Sequence, residues 1–97
     1  MENKENILKN KSYKFALRIV KLYKYLAEEK REFILSKQVL RSGTSIGANT
    51  VEASQAQSKP DFIHKLSISL KEAFETEYWL ELLRDSEFIN EEQSGSL

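Results

Sequence analysis

Residues 41–56 read RSGTSIGANTVEASQA, and whether this run of small residues is loop or helix decides the fold. No proline interrupts it. Val39, Gly43, Ile46, Thr50 and Ala53 step by 4, 3, 4 and 3, with Leu40, Gly47 and Val51 alongside, which is the period of one helix face. The run is therefore read as the second half of a helix covering roughly Phe33 to Gln57. A glycine in mid-helix costs about 1 kcal/mol relative to alanine, so Gly43 and Gly47 need a compensation. Spaced four apart they clear side chains from one side and let a neighbouring backbone come close, a device best known between membrane helices.

C-terminal to this run, Ser58-Lys59-Pro60-Asp61 places a capping hydroxyl three residues before a carboxylate, with proline in the first turn, where its missing N–H costs nothing. The spacing predicts a third helix from residue 59 to about 85. Phe62, Ile63, Leu66, Leu70, Ala73, Phe74 and Leu80 are read onto one side, and Ile68, Trp79 and Leu82 onto another, with Tyr78 at its edge. A helix apolar on two sides is buried on two sides, so a further helix or a second subunit is expected over Ile68, Tyr78, Trp79 and Leu82. Asn90, followed by Glu91 and Glu92, reads as the cap and acidic first turn of a fourth helix, which Ser94-Gly95-Ser96-Leu97 stops at about residue 94.

N-terminal to the run, Phe15, Ile19, Leu22 and Leu26 form the stripe of a first helix from about Ser12, read as its N-cap, to about Glu29. Lys11, Lys14, Arg18 and Lys21 fall on a different face at steps of 3, 4 and 3. They form either a solvated face or a ridge that could follow phosphates, to which Lys37 and Arg41 could add.

Composition is consistent with a single all-α domain of 97 residues, and the helix count with a bundle of the four-helix type whose last helix is short or missing. One proline and three glycines leave long stretches without a breaker, and the absence of cysteine excludes disulfides and thiolate metal sites. No apolar run approaches the roughly 20 residues of a membrane span. The charged start, MENKENILKNKS, lacks the apolar core of a signal peptide, so a cytoplasmic location is expected. The net charge of zero hides an asymmetry: residues 1–71 carry 14 Lys/Arg against 7 Asp/Glu, and residues 72–97 carry one Arg against 8. Such polarity suits a polyanion partner or charge pairing between helices or subunits.

Catalytic constellations fail on context. Gly43-Thr44-Ser45-Ile46-Gly47 spells G-x-S-x-G, but the nucleophile elbow needs a preceding strand and a histidine base further on. The single histidine, His64, opens the next helix. No phosphate-binding glycine loop or convergent metal-ligand set is present, so no cofactor is expected. Asn49 and Glu52, three apart among small residues, are read as a structural pair fixing register or subunit orientation, or else as a ligand contact.

These residues also carry a resemblance. Arg41 through Asn49, Glu52-Ala53, Ser58 through Phe62, and Glu72-Ala73 to Trp79-Leu80 resemble the four-helix-bundle family named for 23S rRNA intervening-sequence proteins, whose bundle is shared by the accessory variability determinant of diversity-generating retroelements. The resemblance spans residues 12–90. It implies an antiparallel up-down four-helix bundle forming a ring-like homopentamer, and, in the retroelement relatives, binding of nucleic acid and a reverse transcriptase through basic surfaces. Two functions stand as expectations. One is a non-catalytic self-assembling bundle that contacts nucleic acid, or an enzyme acting on it, through the basic face. The other is a purely structural, protein-binding module whose basic and acidic faces pair across subunits.

Overall fold

Four helices follow one another in the computed structural model: α1 (Lys4–Glu28), α2 (Leu35–Ser54), α3 (Lys59–Asp85) and α4 (Glu91–Gly95). The structure describes residues 4–96; the first three residues of the charged N-terminal segment and Leu97 lie outside them. α2 lies between α1 and α3 and packs on both, antiparallel to each. Gly43 meets Ile19 and Gly47 meets Ser12 on one side, and Ser42 meets Thr76 and Thr50 meets Ser69 on the other. Among the described residues the α1 and α3 backbones make no close approach. The radius of gyration, 14.4 Å, exceeds the roughly 12.5 Å expected of a closed domain of this length. The bundle is up-down-up, with only the first turn of a returning helix.

The small-residue run is helical throughout, as the periodicity requires. Its glycines differ in what they allow. A Cβ on Gly43 would lie 2.8 and 2.9 Å from Ile19 Cγ1 and Cγ2, whereas one on Gly47 would meet Ser12 at 3.4 Å, an ordinary contact. Close approach is thus required at Gly43 alone.

On the α3 side, hydroxyl groups rather than large apolar side chains occupy the tightest contact. The buried residues of α3 are Ser69, Thr76 and Leu83, at a spacing of seven. The Thr76 hydroxyl lies 2.7 Å from the Glu72 carbonyl and 2.9 Å from Ser42 Oγ, two acceptors that share its single proton. Ser69 and Thr50 hydroxyls both donate to the Ile46 carbonyl, at 2.9 and 2.8 Å. No buried side-chain polar atom among the described residues is left without a partner, so this seam carries no desolvation debt. The larger apolar core sits at one end, around Ile19, Leu22, Leu26, Val39, Leu83 and Ile89.

Helix starts follow different rules. Ser58 and Asn90 cap α3 and α4, as read from sequence: Ser58 accepts from the Asp61 N–H at 3.2 Å, and the Asn90 cap is completed by Gln93 into a full capping box. The expected start at Ser12 is corrected: α1 begins at Lys4, and Ser12 is a buried mid-helix residue donating to the Lys9 carbonyl at 3.0 Å. Without a breaker in residues 4–11, the helix runs past the hydroxyl. α2 starts at Leu35 rather than Phe33 and ends at Ser54 rather than Gln57. Its start is set by the Glu32 carboxylate, which accepts from the N–H groups of Ile34, Leu35 and Ser36 at 3.2, 3.1 and 2.7 Å. One acid thereby satisfies three orphan donors and complements the positive helix end.

Both long turns contain a non-glycine residue in the left-handed region, Arg31 at φ 55° after α1 and Glu87 at φ 67° after α3. An L-residue there costs about 1 kcal/mol that glycine avoids. Arg31→Gly and Glu87→Gly are each expected to raise stability by about 0.5–1 kcal/mol. Urea unfolding followed by circular dichroism checks this, and unchanged or lower midpoints would refute it.

Candidate functional site

The six cations of the expected phosphate-binding face do not form one surface. Lys11, Lys14, Arg18 and Lys21 are exposed along α1, and the three lysines enter no ion pair among the described residues. Arg18 donates from Nη1 to the Ser96 carbonyl at 2.8 Å, tying α1 to the end of α4. Lys37, also exposed, lies about half a turn of helix round from Ile46, which floors the groove between α1 and α3 that Lys11 borders. Arg41 is committed elsewhere: it bridges Glu72, at 3.2 Å, and Glu75 on α3. Two carboxylates neutralise it, so Arg41 leaves the candidate nucleic-acid set.

Glu75 also accepts from Trp79 Nε1 at 2.9 Å, and the Trp79 ring meets Tyr78 edge-on at 5.1 Å. Trp79 is half-buried and packs against the core, and Ile68 and Leu82 are half-buried too. The uncovered apolar surface of α3 therefore lies mainly on residues that the sequence reading placed inside. Ile63, Leu70, Phe74 and Tyr78 are 52, 58, 64 and 58% exposed. This stripe, face B, extends over four turns and shares only Tyr78 with the expected interface set.

A second apolar surface, face A, lies on α1 and α2. Tyr13, Ala16, Thr44, Gly47, Ala48 and Val51 line a cleft of about 380 Å³, and Leu17, one turn beyond Tyr13, is exposed beside it. The Gly43–Gly47 motif thus has two uses: Gly43 seats Ile19, and Gly47 floors the cleft. The flanking charges differ in balance, although Lys71 also borders Phe74 on face B. Lys9, Lys14, Lys21 and Lys24 stand within one or two turns of Tyr13 and Leu17, and Glu77, Glu81 and Asp85 stand likewise about Phe74 and Tyr78. Asp85 accepts from Arg84 Nε at 3.0 Å, and this bond raises the guanidinium pKa further above its ordinary value.

Ser45 sits inside α2 and donates to the Arg41 carbonyl at 2.6 Å, so G-x-S-x-G here lacks the strand–turn–helix geometry of an elbow. His64 is exposed at the start of α3. Asn49 donates to the Ser45 carbonyl at 2.8 Å. Glu52 is exposed, not buried, with Lys65 of α3 4.0 Å away; as an exposed pair it is worth little. Among the described residues no group of three or more metal-ligating side chains converges, and no helix is long and apolar enough to cross a membrane.

This geometry has a close counterpart. The crystal structure of a protein of unknown function from the S23 ribosomal protein family of Bacteroides thetaiotaomicron superimposes with a TM-score of 0.95 at 64% identity, the match covering 97% of this chain and 84% of that one. No curated protein matches the chain. The family model of the 23S rRNA-intervening sequence protein matches residues 4–97, and the chain belongs to that family.

Proposed function

We propose that the chain is a non-catalytic building block that assembles head to tail with copies of itself, face B of one copy seated in the cleft of face A of the next. The observation that carries this reading is the presence of two unlike apolar surfaces on one protomer, a knob-like stripe on α3 and a recess between α1 and α2. Contiguous exposed apolar surface of this kind marks interaction sites. A pair of complementary but different patches makes a heterologous contact, which closes into a ring when the rotation allows. A ring of five is the number that the family resemblance suggests. Covering the exposed parts of Ile63, Leu70, Phe74 and Tyr78 is worth on the order of 1 kcal/mol each. The basic flank of face A and the acidic C-terminal part of the face B flank, Glu77, Glu81 and Asp85, add steering.

A second reading is contact with nucleic acid, favoured by Lys11, Lys14 and Lys21 of α1, which no carboxylate among the described residues pairs with. Static light scattering with a fluorescent-DNA titration separates the two. Self-assembly predicts a mass that is a multiple of 11.3 kDa and declines as salt screens the flanking charges. A mass of one chain at 0.1 mM protein would refute it. Nucleic-acid contact predicts a log–log salt slope of about −0.9 per duplex phosphate, and affinity unmoved by Lys14→Glu with Arg18→Glu would refute that.

A further inference from the structure

One side chain of face B is held in place before any second copy arrives. Among the described residues Tyr78 alone of that stripe makes a ring contact, with the Trp79 indole edge-on at 5.1 Å. The indole is itself fixed twice: its ring packs on the core, and its Nε1 donates to the Glu75 carboxylate at 2.9 Å. That bond decides between the two broad orientations of an aromatic ring about χ2, because a flipped indole turns Nε1 away from Glu75. Glu75 is a long side chain with freedom of its own, and three residues before it on the same side of α3 stands a like charge, Glu72. Arg41 reaches across from α2 and donates to both carboxylates. Contact thus runs from Arg41 to Glu75, Trp79 and Tyr78, and only its first link crosses between helices. None of the four residues lines the groove between α1 and α3.

We propose, on the assembly reading above, that Arg41 is a positioning residue for the head-to-tail contact: acting through Glu75 and Trp79, it holds the Tyr78 ring ready for the next copy. An exposed ion pair between neighbouring helices contributes little to the fold itself. Its effect lies in the free protomer, where an interface side chain that is still mobile must lose rotamer freedom on binding and one already held does not. Tyrosine is among the residue types that carry most of the energy of such contacts. Without Arg41, Glu72 and Glu75 repel, Glu75 swings toward water, the indole loses its acceptor, and Tyr78 loses the wall it rests on.

The test uses two chains that each keep one face. Tyr13→Lys with Val51→Lys leaves face B, and Leu70→Lys with Phe74→Lys leaves face A. Sedimentation equilibrium of the pair gives a single 1:1 dissociation constant. Arg41→Met keeps an apolar stem and removes the donors. In the chain that supplies face B it is expected to weaken the complex about three- to tenfold. In the chain that supplies face A it is expected to change nothing, and binding there also shows that the variant folds. With Tyr78→Leu already present, Arg41→Met is expected to add no further loss. The near-UV circular dichroism of Trp79, the single tryptophan, is expected to fall in the free Arg41→Met chain while helix content stays the same. An unchanged constant, an unchanged near-UV signal, an equal loss from either chain, or an equal loss with Tyr78→Leu would overturn the proposal. A pair that forms no complex with Arg41 in place would remove head-to-tail assembly itself, and the positioning role with it.

Discussion

Gly43→Leu is expected to abolish the cooperative thermal transition of the chain. Even the first carbon of the new side chain would lie 2.8 Å from Ile19 Cγ1 and 2.9 Å from Cγ2, and Ile19 has no exposed surface into which to retreat. The branch atoms that collide sit directly on the Ile19 Cβ, whose χ1 is held to one strongly preferred rotamer in a helix, so leucine would separate α1 from α2. Gly43→Ala isolates the first step of that clash. Overpacking costs about 1–3 kcal/mol, partly offset by the gain of about 1 kcal/mol in helix propensity, for a net loss of up to about 2 kcal/mol. Gly47→Ala meets only ordinary contacts with Ser12 and is expected to be neutral or to gain up to about 1 kcal/mol. A domain of this length has a total stability of only about 5–15 kcal/mol, so the contrast is readily measured by denaturant unfolding. Equal effects at the two glycines would show that the close approach at Gly43 is not what sets the α1–α2 distance.

Charge placed on either assembly face should dissociate the protein without unfolding it. Tyr13→Lys with Val51→Lys damages face A, and Leu70→Lys with Phe74→Lys damages face B. All four residues are more than 40% exposed and lysine is a good helix former, so the fold itself loses little. Each double variant is expected to sediment as a folded single chain. Trp79→Asp should behave differently, because the indole packs on the core and donates to Glu75. Its replacement is expected to lower stability by about 3–5 kcal/mol, the usual cost of removing a large core aromatic. An intact assembly in the Leu70→Lys, Phe74→Lys variant would remove face B from the interface.

Much of this architecture is legible in the residues, and the failures have a common cause. Capping chemistry is local, so Ser58-Lys59-Pro60-Asp61 and Asn90 identify the starts of α3 and α4 unaided. Periodicity without a breaker carries α2 through two glycines. Periodicity does not say which arc of a helix lies against which neighbour. The large residues of α3 suggest a buried side of Ile63, Leu70 and Phe74, but the small residues of α2 admit α3 edge-close through Ser42 and Thr50, so Ser69 and Thr76 take the buried arc. The large side chains are then displaced to the flanks and half of them face solvent. The density of serine and threonine at a spacing of seven was the available signal. The cap of α2 was missed for another reason: Glu32 reaches forward across the turn to three N–H groups, an arrangement no residue type advertises. Arg41 belongs to neither class, since its pairing with Glu72 and Glu75 depends on the register of two helices.

Mixing the two face variants tests head-to-tail assembly most directly. The face A variant retains face B, and the face B variant retains face A, so sedimentation velocity of an equimolar mixture is expected to reveal a 1:1 complex of twice the 11.3 kDa chain mass and nothing larger. Lysine on both damaged faces keeps them from pairing with each other. A mixture that stays at the mass of one chain, after each variant alone has lost the assembly of the parent, would contradict the pairing of face A with face B.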